Sequence, residues 1–152
     1  MHEIDWSAIR NNPNLWGSFV WNMFDFACKD RDEGNTPSLN DKGLVSHDRR
    51  FKKDAFYFYK ANWNPEPMVY ITSRRAVERT EPLTDVKVYS NRPEVELRVN
   101  GKSIGKQRSD ELHIARWQAV RLIPGNNTIE ALSADGTASD SCIWTLQEAA
   151  RN

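Results

Sequence analysis

Seven short segments of alternating apolar and polar residues, all after Pro67, constrain the fold more than any other feature of this sequence. They are "MVYIT", "DVKVYS", "EVELRVN", "KSIGKQ", "WQAVRLI", "NTIEALSA" and "SCIWTLQ". Alternation with a period of two sends successive side chains to opposite faces, so each segment reads as a strand with one face buried. Asn100-Gly101, between "EVELRV" and "KSIG", is a strong hairpin signal, because both central residues of a type I′ turn need positive φ. Pro124-Gly125-Asn126-Asn127 and Ala134-Asp135-Gly136 mark two further turns. About seven strands in some 85 residues predict a mainly β fold, an antiparallel sandwich of immunoglobulin-like type. Trp117 and Trp144 fall on alternating positions and are expected as large core plugs between the sheets.

The residues before Pro67 have a different texture. "IDWSAIRNN" predicts a short helix, with Asp5 as N-cap and Ile4, Ala8 and Ile9 on one side, broken at Asn12-Pro13. "GSFVWNMF" predicts a buried strand. "KDRDEGNTPSLNDKG", with Gly34, Pro37 and Gly43, reads as a long loop, and loops of that length in compact domains are usually functional or disordered. "KKDAFYFYKANW" predicts a helix, with Ala55, Phe56, Tyr59 and Trp63 on one side, ended by Asn64-Pro65-Glu66-Pro67. A lone strand has no ladder partner for its backbone, so this part reads as one βα unit of something larger. Phe19, Val20, Trp21, Phe24, Phe56 and Tyr59 are then expected to lack neighbours. The chain is expected either to self-associate through residues 15–63 or to leave parts of that segment mobile.

Charge excludes some partners. The 21 basic and 21 acidic residues cancel, so no global field draws the chain to nucleic acid or to an anionic membrane. No apolar run approaches the ~20 residues that span a bilayer. "MHEIDWSAIRNN" has no basic region leading into an apolar stretch, so no signal peptide is expected. Cys28 and Cys142 lie far apart and read as two buried or idle thiols rather than a disulfide, which leaves the redox compartment undetermined. No metal-ligand spacing, no Gly-rich phosphate loop and no Ser-His-Asp arrangement stands out, and no cofactor is implied.

Two longer motifs point to a family. "LWGSFVWNMFDFA", followed by "LNDKGLVSHDRRFKKDAFYFYKANW", resembles the last βα unit of the (β/α)8 barrel of glycoside hydrolase family 2, which includes β-galactosidases, β-glucuronidases and β-mannosidases. "VKVYSNRPEVELRVNGKSIGK" resembles the β-sandwich that follows the barrel in β-galactosidase-like members from gut Bacteroidetes. The resemblance implies a barrel remnant over residues 1–66 and an immunoglobulin-like sandwich over residues 67–152. It implies a bacterial periplasmic or secreted parent, most readily a β-galactosidase, acting on a β-linked sugar.

Active sites of such barrels lie at the C-terminal ends of the strands. The resemblance therefore makes Trp21, Asn22 and Asp25 substrate-binding candidates, with Trp21 as the plate on which the sugar stacks. Asn40 and Lys42 match the Asn-x-Lys pair with which β-glucuronidases bind the carboxylate of the sugar, so a β-glucuronidase parent is the alternative. Asp48 and Arg49 are expected to pair at the start of the last helix, and His47 reads as an exposed loop residue.

Catalytic residues are expected to be absent from this chain. Retaining glycosidases need two carboxyl groups about 5–5.5 Å apart. The family places these glutamates on barrel strands four and seven, and no glutamate here matches either motif, so the chain alone is expected to be inactive. A carbohydrate-binding module and a structural sandwich are the non-catalytic alternatives.

Overall fold

A computed structural model describes residues 1–33 and 36–147. It divides into two units, Met1–Lys60 and Ala61–Asn152.

The second unit contains two sheets. One has the strand order β4(Glu78–Arg79), β10(Ser139–Leu146), β9(Gly125–Ser133), β6(Glu94–Val99), β7(Lys102–Arg108); the other runs β3(Val69–Ile71), β5(Leu83–Ser90), β8(Ile114–Arg121). Neighbours are antiparallel except β4, which lies parallel to β10. All seven expected strands form. The two-residue β4 was not foreseen, because two residues carry no readable period.

Alternation explains the core. Val86 and Val88 from β5, Val95, Leu97 and Val99 from β6, and Ile129 and Ala131 from β9 are buried together. Trp117 and Trp144 join the same core, as their alternating positions predict. The Trp117 indole N–H donates to the Gly105 carbonyl at 3.2 Å, and the Arg79 guanidinium lies 3.9 Å from the centre of the Trp144 ring. Asn100 and Gly101 have φ of 52° and 75°, the positive pair that a type I′ hairpin demands.

Asn127, read from sequence as a turn residue at the start of a strand, is fully buried. Its Nδ2 donates to the carbonyls of Ile123 and Gly125 at 2.8 and 3.0 Å. Its Oδ1 accepts from Ile123 N at 2.9 Å and from Asn100 Nδ2 at 3.1 Å. One amide thus closes the turn before β9 and links it to the β6–β7 hairpin.

The first unit departs further from expectation. Helix α1(His2–Arg10) is capped by Met1, with no side-chain cap bond, so Asp5 lies within its first turn rather than at the N-cap. Ile4 is 73% exposed. The contact face is aromatic instead: His2 and Trp6, one turn apart, pack edge-on against Tyr59. Tyr59 is therefore buried, not left uncovered as expected.

Residues 17–24 do not form the expected strand, and among the described residues no named strand pairs with them. Trp16 and Phe19 are each 94% exposed, and only Phe24 enters a ladder, as an isolated bridge to Val45. The expected loop is instead a two-stranded sheet, β1(Phe26–Glu33) with β2(Thr36–Asn40). Gly34, read as part of that loop, lies outside the described residues. Helix α2(Asp54–Trp63) forms as the aromatic spacing predicts and stops before Asn64-Pro65.

Candidate functional site

The five residues singled out in the sequence occur within two backbone stretches that run side by side. Leu44 N donates to Asn22 O, Val45 N to Met23 O, and Asp25 N to Val45 O, each at 2.9 Å. These bonds lay residues 43–45 along residues 22–25. They bring Trp21, Asn22 and Asp25 to the loop that carries Asn40 and Lys42.

Gly43 permits this approach. A Cβ at Gly43 would stand 2.1 Å from Asp25 N and 2.3 Å from the Phe24 carbonyl carbon. Both are backbone atoms that cannot swing aside. In place of a side chain, the Gly43 N–H donates to Asp25 Oδ1 at 2.8 Å.

Asp25 is buried. Its Oδ1 also receives the Lys53 ammonium at 2.7 Å, and the same ammonium donates to the Asp41 carbonyl. Lys53 stands just before α2, and its own N–H donates to Leu44 O at 2.8 Å. The carboxylate therefore holds the loop as well as lying beside it.

Asn40, the last residue of β2, is buried, and its Oδ1 accepts the Lys42 N–H at 3.1 Å. This is the local turn that asparagine forms with the backbone two residues on. It reverses the chain at Asp41 and leaves Lys42 exposed. Asn22 donates through Nδ2 to Phe24 O at 2.8 Å, while its buried Oδ1 has no partner among the described residues. Buried acceptors are rarely left so. Trp21 is 71% exposed, its ring edge-on to Phe26 at 6.1 Å. These stretches thus carry an exposed indole, a buried amide oxygen without a partner among the described residues and an exposed lysine on a fixed turn.

The Asp48–Arg49 pairing expected from sequence is not formed. Asp48 pairs with Arg50, at 2.6 Å to Nε, and accepts the Ser46 hydroxyl at 2.5 Å. These bonds, that of Ser46 first, lower its pKa to about 2. Arg49 adopts φ of 63° and places its guanidinium 4.5 Å from the centre of the Phe24 ring. A turn that reverses at Arg49 turns it away from its neighbour and towards the strip at residues 22–25. His47 is exposed, as expected.

A family model described as a domain of unknown function (DUF4982) matches residues 82–139, inside the sandwich. A β-glucuronidase of Bacteroides fragilis is 49% identical over 129 residues, which make up 84% of this chain and 19% of that protein. The chain belongs to glycoside hydrolase family 2. A β-galactosidase of Bacteroides ovatus is 28% identical over 146 residues, 95% of this chain and 17% of that protein. The solved structure of an FMN-binding β-glucuronidase from Facaelibacterium prausnitzii L2-6 matches with a TM-score of 0.89 at 41% identity. That match covers 99% of this chain and 23% of the other. This family 2 chain thus spans about a fifth of the length of the curated relatives it matches.

Gly43 and Lys53, which were not singled out in the sequence, tie the two candidate stretches together. Both signals were present. A glycine directly after "NDK" marks a close approach of backbone, and a lysine preceding a helix can reach back over the loop before it. Neither signal names its partner, because Asp25 is 18 residues from Gly43 and 28 from Lys53.

Proposed function

We propose that this chain forms one wall of the sugar pocket of a retaining family 2 β-glycosidase whose substrates are β-D-glucuronides. In this reading residues 1–66 are the end of the catalytic barrel and residues 67–152 the sandwich that follows it. The observation that carries the proposal is the Asn40–Lys42 turn. Its Asx bond fixes the backbone of an exposed lysine in the loop that follows β2, and residues 43–45 of that loop lie along the stretch carrying Trp21 and Asn22. A compact, strongly hydrated point charge suits a sugar carboxylate. Trp21 stacks on the C–H face of the pyranose, Asn22 lies next to that plate in the chain, and Lys42 with Asn40 holds the acidic group. Asp25 contributes by holding the strip and the loop together. The two catalytic carboxyls that such a reaction needs come from elsewhere in the enzyme.

The sequence reading put the galactoside first, and one relative carries a galactosidase name. The glucuronidase names of the B. fragilis relative and the F. prausnitzii structure support the uronide at least as well, and the loop chemistry tips the choice towards it. The test is turnover of nitrophenyl β-D-glucuronide and β-D-galactoside by a full-length enzyme carrying this segment. A higher kcat/KM on the glucuronide is expected. A higher kcat/KM on the galactoside would replace the proposal with the neutral-sugar reading.

A further inference from the structure

Lys42 is bracketed by bonds that converge on one carboxylate oxygen. On one side of it, the Asp41 carbonyl is held by the Lys53 ammonium, which is itself bound to Asp25 Oδ1 at 2.7 Å. On the other side, the Gly43 N–H donates to that same Oδ1 at 2.8 Å. The Leu44 carbonyl is tied to the Lys53 backbone, and the Lys42 N–H itself is tied to Asn40 Oδ1. A shift of the Lys42 backbone would break hydrogen bonds to both members of an ion pair whose side chains are only 24% and 6% exposed.

Such a pair is an ineffective way to add stability. Burying two charges offsets most of their attraction, and apolar replacements of similar volume are often neutral or better. What it supplies here is geometry, because a single ammonium fixes an anion on one stretch and a carbonyl on the other. We infer that Lys53 and Asp25 form a clamp that positions the Asn40–Lys42 turn and so sets affinity for the acidic group of the substrate. The inference rests on the uronide reading above. Lys53 is on this account a positioning residue that does not touch the sugar.

The test uses Lys53→Met, Lys53→Arg and Asp25→Asn in a full-length enzyme, with nitrophenyl β-D-glucuronide as substrate. A misplacement of about 1 Å can cost on the order of 100-fold. Lys53→Met should lose that much in kcat/KM, chiefly through KM. Lys53→Arg, which keeps the charge and the donors, should recover most of it. Wild-type KM in folded Lys53→Met, or a loss shared between kcat and KM that follows a fall in melting temperature, overturns the clamp. Should Lys53→Met fail to fold, Asp25→Asn decides: it keeps an acceptor for Gly43 but removes the charge. A raised KM is expected there, and a wild-type KM overturns the inference.

A wild-type enzyme that hydrolyses only the galactoside would refute the uronide reading alone. The clamp is then judged in this chain by amide exchange at Gly43 and Leu44. Faster exchange in Lys53→Met supports it, and unchanged exchange refutes it.

Discussion

Gly43→Ala should detach the loop at residues 40–45 from the strip at 22–25. The new Cβ would stand 2.1 Å from Asp25 N, where real contacts of this kind stay beyond 3.0 Å, so the two stretches must part by about 0.9 Å. The Gly43–Asp25 bond starts at 2.8 Å and the Leu44–Asn22 bond at 2.9 Å. That separation takes both beyond hydrogen-bonding distance. A neutral bond contributes roughly 1 kcal/mol net and one to a charged group roughly 1.5–3 kcal/mol, so the local loss is about 3 kcal/mol. At 1.4 kcal/mol per decade, this is on the order of a 100-fold fall in amide protection at Leu44 and Val45. Hydrogen exchange read by NMR measures it residue by residue, with the sandwich amides of β6 and β9 as an internal control. Wild-type protection at Leu44 and Val45 in Gly43→Ala would show that the close approach is not what holds the loop.

Asn127→Ala should destabilise the sandwich by roughly 2–4 kcal/mol, since it strands the Ile123 and Gly125 carbonyls and the Ile123 N–H; a denaturant midpoint equal to wild type would contradict this. Asp48 should titrate near 2 by carboxyl NMR. Because its pKa is depressed on folding, its contribution to stability is complete above about pH 4 and is lost as pH falls towards 2. Ser46→Ala removes the largest cause of the shift and should move the midpoint back towards 3.8; an unmoved midpoint would discount the serine bond. Burial raises the Cys142 thiol to about 11 from 9.0. The thiolate is the nucleophile, so Cys142 should alkylate at pH 8 on the order of 100-fold more slowly than an unperturbed thiol of that reference value. Alkylation at the ordinary rate would show that partial burial does not raise the thiol's pKa in solution.

The sandwich was legible because its strands obey a local rule. Period-two alternation fixes which side chains face inward, and Asn100-Gly101 fixes a hairpin without reference to anything distant. The first unit was legible in its two helices, α1 in place though not in its cap or contact face, and α2 in its aromatic spacing, which is equally local. The strand expected at residues 17–24 failed because a strand exists only beside another, and the sequence of a segment does not say whether its neighbour is present. The β1–β2 sheet was missed for the converse reason: "KDRDEGNTPSLN" is polar apart from Pro37 and Leu39, so it left no hydrophobic period to read. At the site, Trp21, Asn22, Asp25, Asn40 and Lys42 came from a family resemblance. The structure adds what ties them together, the Gly43 approach and the Lys53 bridge, and both depend on contacts across 18 or more residues.

The central claim is that Lys42, held on the Asn40 turn, recognises an acidic sugar. Its most direct test is the ratio of kcat/KM on nitrophenyl β-D-glucuronide to that on the β-D-galactoside, measured for a full-length enzyme and its Lys42→Ala variant. Losing a charge-assisted bond of roughly 1.5–3 kcal/mol should lower that ratio by about 10- to 100-fold, with the neutral substrate little affected. An unchanged ratio in a folded Lys42→Ala enzyme would contradict the account.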